Sequence, residues 1–229
     1  MRIAVLSDIH GNVCAFESAL KMLRRLSPDI YVFLGDLVVN GLYPQECYDM
    51  LLDLAPEIII QGNTDGFFQE ITPNRKPSNE REAYAYKLFS FAQERLNDNA
   101  VKQLISRPIY RKIPEFKLGL CHGTPFSYED KLESANNSEH LREKIDLLGH
   151  DILLFGHTHV PADFMLGATR CLSFGAVGYS FDGITAARCG ILDITKSTVR
   201  TTQLHIEYPV SDYEREVSDS KAPFADNLS

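Results

Sequence analysis

The stretch RIAVLSDIHG, residues 2–11, decides the fold of this chain. Its apolar run over residues 3–6 predicts a short β-strand that is buried on both faces. Asp8 and His10 follow this strand directly, and apolar residues then recur at helical spacing over about residues 12–26. A strand, a polar pair and a helix in this order predict one unit of an α/β sheet, with its ligands bound at the carboxyl end of the strand.

The same unit recurs along the first half of the chain. An apolar run over residues 30–34 leads to Asp36, and another over residues 58–60 leads to Asn63. Alternating strands and helices predict a layered α/β core. Parallel strands end at one edge of a sheet, so we expect the polar side chains that follow them to lie close together.

Residues 66–108 contain no strand pattern and two helical ones, so we expect a helical insert that lies over the site. Strand patterns resume after the insert, and one of them, over residues 152–155, leads to His157. We therefore predict a single domain over residues 1–210 that includes the insert as a cap. The polar tail over residues 211–229 is expected to fray.

Composition narrows the class of protein. The chain has 229 residues and a net charge of -8, which disfavours non-specific binding to nucleic acid or to an anionic membrane. Its five cysteines are scattered without a Cys-x-x-Cys pair, which indicates free thiols in a reducing cytosol. No apolar stretch reaches membrane-spanning length, and the first apolar run is too short for a signal peptide. We expect a cytoplasmic protein.

Seven side chains with oxygen or nitrogen donors follow the apolar runs. They are Asp8, His10, Asp36, Asn63, His122, His157 and His159. Each has an ordinary structural explanation when taken alone, and the prediction depends on their occurring together. Seven donors suffice for two metal ions, and a mixed imidazole and carboxylate set suits manganese, iron, zinc or nickel better than calcium.

Charge and geometry connect this ligand set to phosphorus chemistry. The two oxygens of Asp36 can bridge both ions, and the neutral Asn63 adds an oxygen ligand without charge. Two divalent ions carry +4; Asp8, Asp36 and a bridging hydroxide would leave the centre at about +1. Such a centre attracts a phosphate anion and stabilises the charge of its transition state, so two adjacent metals imply in-line attack on phosphorus.

Five motifs carry a resemblance to a known family. They are Asp-x-His-Gly at 8–11, Gly-Asp-x-x-x-x-Gly at 35–41, Gly-Asn-x-Asp at 62–65, His-Gly at 122–123 and Gly-His-x-His at 156–159. In this order they resemble the calcineurin-like metallophosphoesterases, and most of all the compact YfcE-like phosphodiesterases of bacteria and archaea. The resemblance implies a four-layer α-β-β-α sandwich of two mixed sheets flanked by helices.

The resemblance also implies roles for the ligands. The first metal would be held by Asp8, His10, Asp36 and His159, and the second by Asp36, Asn63, His122 and His157. A metal-bridging hydroxide would attack phosphorus directly, without a covalent phosphoenzyme. Asp36, Asn63 and His122 are the candidate catalytic residues, together with Thr64 and Asp65.

The chain departs from the family pattern at two places. Thr64 stands where many members have the His that protonates the leaving group, and a Thr hydroxyl is a poor general acid. We therefore expect a preference for good leaving groups. Asp65 would either orient a ligand or cap the next helix. Residues 173–178 keep the glycines of a family loop and lose its polar residues, which weakens any phosphate contact there.

Substrate choice is expected to come from the insert. Candidates for binding a remote phosphate are Arg75, Lys76 and Arg81, and candidates for stacking on a base are Phe67, Phe68, Tyr84 and Tyr86. A small-molecule phosphoester, such as a nucleotide or a dinucleoside polyphosphate, is the expected substrate. The alternatives are a nuclease and a non-catalytic interaction module like the retromer subunit of the same fold. The sequence leaves the oligomeric state open, with a homodimer among the alternatives.

Overall fold

A computed structural model of the chain describes residues 1–71, 76–134, 138–195 and 197–225. Two five-stranded mixed sheets face each other, and helices cover their outer faces. The predicted four-layer α/β fold is thereby confirmed. Among the described helices, none is long and apolar enough to cross a membrane.

The first sheet has the order β10-β9-β1-β2-β3, with β1, β2 and β3 parallel. Its strands are β1 (Arg2–Leu6), β2 (Ile30–Phe33), β3 (Ile58–Ile59), β9 (Ala187–Ile194) and β10 (Val199–Ile206). Because β9 and β10 come from the end of the chain and pair antiparallel beside β1, the C-terminal half closes the sheet that the N-terminal half begins.

The second sheet has the order β4-β5-β6-β8-β7, with β5, β6 and β8 parallel. Its strands are β4 (Tyr110–Ile113), β5 (Leu118–Cys121), β6 (Ile152–Leu154), β7 (Pro161–Leu166) and β8 (Thr169–Phe174). A short 3-10 helix, Pro114–Phe116, makes the turn between β4 and β5.

Strand β1 shows how the layers are held together. Its alternate side chains point to opposite faces: Ile3 and Val5 pack between the two sheets, and Ala4 and Leu6 pack beneath the outer helices. Both faces are buried, which explains why the strand reads as an unbroken apolar run.

The helices form the two outer layers. They are α1 (Val13–Arg25), α2 (Pro44–Leu54), α3 (Asn63–Phe67), α4 (Glu80–Gln93), α5 (Asp98–Ile105), α6 (Glu139–Asp146) and α7 (Val210–Ser220). The side chain of Asn12 accepts a hydrogen bond from Ala15 N and caps α1, so this helix starts immediately after the polar pair of the first motif.

The segment over residues 66–108 is built into the helical layer. Phe89 of α4 and Leu104 of α5 belong to the same buried cluster as Phe16 of α1 and Leu51 of α2. The apolar side chains that predicted the helices therefore pack in this core. Within this segment, Phe67 and one side of α4 line the cavity at the edge of the sheets where the polar residues gather, and residues 72–75 lie outside the described part.

The expectation of a frayed tail is wrong for the described residues after 210. Helix α7 buries Tyr213 and Val217, and Phe224 packs edge-to-face on Phe91 of α4 at 5.4 Å between ring centroids. The Tyr213 hydroxyl also accepts a hydrogen bond from Leu42 N. Two apolar residues four apart are enough for one helical face to pack, even in a polar segment.

Candidate metal centre

The seven candidate ligands converge at one edge of the sandwich. Asp8, Asp36 and Asn63 follow the parallel strands β1, β2 and β3 of the first sheet, and His122 and His157 follow β5 and β6 of the second. The carboxyl ends of the parallel strands of both sheets meet here, as the strand patterns predict. His10 and His159, each two residues beyond a strand-end ligand, complete the group.

Four of these residues form one compact set of donor atoms. One ligand atom each from Asp8, His10, Asp36 and His159 lies within 4.8 Å of all the others. Asp8 Oδ1 is 3.3 Å from His159 Nε2, and His10 Nε2 is 3.1 Å from His159 Nε2. All four residues are buried. This set has the size and donor types of one metal site.

A second set shares Asp36 with the first. The end of the Asn63 amide that faces the cluster lies 3.0 Å from His122 Nε2, 2.9 Å from His157 Nδ1 and 3.2 Å from Asp36 Oδ2. Asp36 Oδ2 is 3.4 Å from His122 Nε2 and 3.7 Å from His10 Nε2. One carboxylate oxygen of Asp36 therefore lies between the two sets of donors.

Each histidine is oriented by the nitrogen that points away from the cluster. The outward nitrogens bond to backbone carbonyls: His10 Nδ1 to Val39, His122 Nδ1 to Leu34, His157 Nε2 to Glu129 and His159 Nδ1 to Tyr179. A carbonyl oxygen only accepts, so each outward nitrogen carries the proton and donates it. In the neutral ring, the inward nitrogen is thereby the one whose lone pair can bind a metal.

The donor set fits metal ions and fits hydrogen bonding poorly. Both carboxylate oxygens of Asp8 are buried, and neither has a hydrogen-bond partner within the described part of the chain. Leaving such atoms unpaired costs about 1–3 kcal/mol or more each. At the same time, the lone pairs of His10 and His159 face each other. A cation between these donors would satisfy all of them.

The charges within the cluster shift its pKa values strongly. Burial lowers the pKa of His122, but the neighbouring Asp36 carboxylate outweighs burial and raises it to about 9. Burial raises the pKa of Asp36, yet His122 and His10 pull it well below its usual range. Without metal, the centre therefore keeps a proton on His122 at neutral pH, and a metal ion must displace that proton.

Backbone strain is concentrated on the ligands. Five of the seven adopt the left-handed region, with φ values of 55° for Asp8, 51° for His10, 62° for Asp36, 65° for His157 and 59° for His159. This region is uncommon for residues other than glycine, and such a conformation costs on the order of 1–3 kcal/mol. The rest of the fold holds these residues so that their side chains point into one space.

Gly62 allows two ligand loops to touch. A Cβ atom there would lie 2.1 Å from Asp36 Oδ1, so any larger residue would push this carboxylate away. The close approach lets Thr64 N donate a hydrogen bond of 2.9 Å to the same oxygen. The glycine of the Gly-Asn motif thus fixes the oxygen of Asp36 that faces away from the cluster.

Asp65 performs both of the roles that the sequence leaves open. Its carboxylate accepts hydrogen bonds from Asp36 N at 2.9 Å and Leu37 N at 3.1 Å, which holds the Asp36 loop. It also accepts from Gly62 N at 3.0 Å and caps α3. Burial and the nearby Asp36 raise the pKa of Asp65 to about 6. Asp65 contacts the backbone of the ligand loops rather than the cluster itself.

A cavity of about 480 Å³ opens beside the second set of ligands. It is lined by Asn63, Thr64 and Phe67 of α3 and by Arg81 of α4. Arg81 is exposed and forms no ion pair within the described residues, and the Thr64 hydroxyl is buried without a partner there. Arg75 lies outside the described residues, so the structure gives no position for it.

Two of the four predicted stacking residues, Phe67 and Phe68, are engaged in aromatic packing. Phe68 is buried and meets Phe89 edge-to-face at 5.3 Å, and Phe67 lies 4.7 Å from the same ring. Phe67 still lines the cavity, whereas Tyr84 and Tyr86 do not. Lys76 is exposed and also lies outside the cavity lining.

The loop over residues 178–186 was not found from the sequence. Its first residues hold the Asp8 segment, since Gly178 N donates to Asp8 O at 2.9 Å. Further along, Asp182 pairs with the fully buried Arg188 of β9, with contacts of 2.6 and 2.8 Å. An arginine inside an apolar strand needs a buried partner, and this was the available signal for the loop.

The comparisons with known proteins agree with this geometry. The sequence profile of the calcineurin-like phosphoesterase superfamily domain matches residues 1–197, so the chain belongs to this superfamily. Membership implies hydrolysis of phosphoesters with the help of metal ions, and the resemblance read from the five motifs is confirmed.

Solved structures share the fold at low sequence identity. A metallophosphoesterase from Sphaerobacter thermophilus is 24% identical, covers 100% of this chain and 96% of its own, and has a TM-score of 0.79. The hypothetical protein PH1004 from Pyrococcus horikoshii is 20% identical, with coverage of 99% and 97% and a TM-score of 0.84. The phosphoesterase Yfce from E. coli is 21% identical, with coverage of 90% and 100% and a TM-score of 0.52.

Proposed function

We propose that this protein hydrolyses a phosphodiester, phosphomonoester or phosphoanhydride of a small molecule with two transition-metal ions. The observation that carries the proposal is the position of Asp36 Oδ2, 3.7 Å from His10 Nε2 and 3.4 Å from His122 Nε2. A single oxygen between two sets of donors suits two ions that share a ligand. Manganese, iron, nickel and zinc all match the mixed imidazole and carboxylate donors.

The metal ions, when bound, would supply a hydroxide nucleophile and positive charge for the transition state. The side chains of the protein would hold these ions in position. Asp8, His10 and His159 would hold the first ion, and Asn63, His122 and His157 would hold the second. The net charge of the donors comes only from Asp8 and Asp36, which keeps the loaded centre cationic and able to bind a phosphate anion.

The leaving group receives little help from the described residues near the second set. Thr64 occupies the position next to Asn63, and its hydroxyl has a pKa far from the working range of a general acid. Good leaving groups, such as aryl oxides or a second phosphate, need no such acid. Arg81 at the cavity wall would bind that second phosphate.

The two alternative functions have less support. A net charge of -8 disfavours a nuclease, because phosphate backbones are bound by basic surfaces. A non-catalytic interaction module has no need of seven converging donors, five of which have strained backbones.

We also propose a cytosolic location, because the five free thiols suit a reducing compartment.

A substrate panel tests the proposal. Protein reconstituted with Mn²⁺ would be assayed on p-nitrophenyl phosphate, bis-p-nitrophenyl phosphate, cyclic nucleotides and diadenosine polyphosphates, with Zn²⁺, Ni²⁺ and EDTA in parallel. We expect hydrolysis of at least one activated ester and its loss in EDTA. No turnover of any substrate with any of the metals would overturn the proposal and favour the interaction module.

A further inference from the structure

The ring of Phe181 lies directly on a ligand of the first metal set. It stacks on the His159 imidazole with 4.4 Å between centroids and an angle of 15°. The side chain of Tyr179 closes one edge, 5.1 Å from Phe181 and 6.1 Å from His10. The aromatic pair therefore borders the candidate metal centre beside His10 and His159.

The Phe181 ring has one covered and one open face. His159 is only 6% exposed, whereas Phe181 is 59% exposed. Solitary apolar residues on a surface are common and need no explanation. A large exposed ring in parallel contact with a candidate metal ligand is different, because its open face lies only one ring away from the His159 imidazole.

The loop that carries Phe181 is fixed in place. Asp182, the next residue, accepts two hydrogen bonds from the buried Arg188 and one of 2.9 Å from Ser180 Oγ. Asp182 Oδ1 also accepts from Ile184 N at 3.0 Å. An ion pair with a fully buried arginine is costly to break, so the position of the ring is specified by the fold.

We propose that Phe181 is a stacking platform for a planar aromatic group of the substrate, which makes aryl or nucleoside phosphate esters the substrate class. This inference rests on the proposed function and extends it. The aromatic group would lie on the His159 side of the centre, while the remaining part of the substrate points to the cavity of Thr64 and Arg81. Stacking pairs contribute enough for a preference of about two- to tenfold.

Two phosphonates separate this contribution from the binding of the head group. Phenylphosphonate and methylphosphonate carry the same anionic group, resist hydrolysis and differ in the ring. Their dissociation constants would be measured by titration calorimetry on Mn²⁺-loaded protein. We expect wild type to bind phenylphosphonate about two- to tenfold more tightly and Phe181→Ala to lose this preference while its Mn²⁺ content stays unchanged.

Three control variants sharpen the result. Phe181→Tyr keeps the ring and should keep the preference, whereas Phe181→Leu keeps apolar cover over His159 and should lose it. Ile184→Ala removes another exposed apolar side chain of the same loop and should change nothing. An equal preference in wild type and Phe181→Ala would overturn the inference.

Failure of this inference and failure of the proposed function can be told apart. If wild type binds neither phosphonate, the inference falls, and hydrolysis in the substrate panel then decides separately whether the proposed function survives. If Phe181→Ala weakens both phosphonates equally and also loses Mn²⁺, the ring serves His159 alone and the inference is overturned.

Discussion

At the scale of single residues, Asp36 is the group on which both halves of the centre depend. Its two oxygens have separate tasks, because Oδ1 accepts from Thr64 N and Oδ2 faces His10 and His122. We expect Asp36→Asn to lower the affinity for both ions by at least tenfold and to abolish turnover, since an amide has one uncharged oxygen and an NH2 group that cannot bind a metal. Metal analysis after dialysis, compared with Asp29→Asn at the exposed surface, would test this; two ions retained at wild-type affinity would exclude a shared ligand.

His122 makes metal binding depend on pH. Its folded pKa of about 9 lies above the unfolded value of 6.5, so its proton stabilises the metal-free fold fully below pH 6.5. That stabilisation is lost as the pH rises through 9. Metal competes with the same proton, so we expect the affinity of the second site to rise with pH over this window, by up to about tenfold per unit.

Calorimetric titration with Mn²⁺ at several pH values, repeated in buffers of different ionisation enthalpy, would count the protons that are released. The exposed His140 offers a matched control, because His140→Gln should leave the pH dependence intact. An affinity that does not change between pH 6.5 and 9 would contradict the assignment of the proton to His122.

At the scale of elements, the loop from Gly178 to Ala186 depends on the pair of Asp182 and Arg188. We expect Asp182→Asn to destabilise the protein by about 3–5 kcal/mol, because it leaves the charge of Arg188 buried without a negatively charged partner. The double variant Asp182→Asn with Arg188→Met should recover much of that loss. Urea unfolding of the metal-free proteins measures both, and equal stabilities for the two variants would argue against a buried charge as the cause.

Helix α7 gives a second prediction at this scale. Val217 is fully buried against Tyr213 and Phe224, so we expect Val217→Ala to cost about 1–2 kcal/mol and to expose the last residues to protease. Val199→Ala in β10 is the matched control, since Val199 is 38% exposed. Limited proteolysis would compare the two, and equal cleavage rates would mean that α7 contributes little to stability.

The loop before β9 and helix α7 are the two elements that the sequence did not predict. The convergence of the candidate ligands was predictable because each one follows an apolar run and the parallel strands of a sheet end at the same edge. The loop before β9 was missed because the ion pair of Asp182 and Arg188 could be recognised only once β9 was known to pair with β1. The prediction of a frayed tail was wrong because it rested on the polar composition of the segment. The helical spacing of Tyr213 and Val217 was overlooked, and their packing partners lie far away in the sequence.

At the scale of the whole molecule, the metal centre joins the two sheets. Asp8, Asp36 and Asn63 come from the first sheet, and His122 and His157 come from the second. Metal binds only when the sheets are packed together, so it stabilises the folded chain. We expect EDTA to lower the Tm by on the order of 10 °C relative to protein in excess Mn²⁺.

Scanning calorimetry with and without metal measures this shift, and Asp36→Asn provides the control because its Tm should respond little to EDTA. The same Tm for wild type in EDTA and in Mn²⁺ would show that ion binding is not linked to folding of the sandwich.

Cutting the chain between α5 and β4 would divide the ligands in a particular way. The first fragment would keep Asp8, His10, Asp36 and Asn63, and the second would keep the three histidines His122, His157 and His159. Each metal set contains members of both fragments, so neither fragment alone can assemble a complete site. Metal would then bind only after the two fragments have associated, so metal binding would report that association.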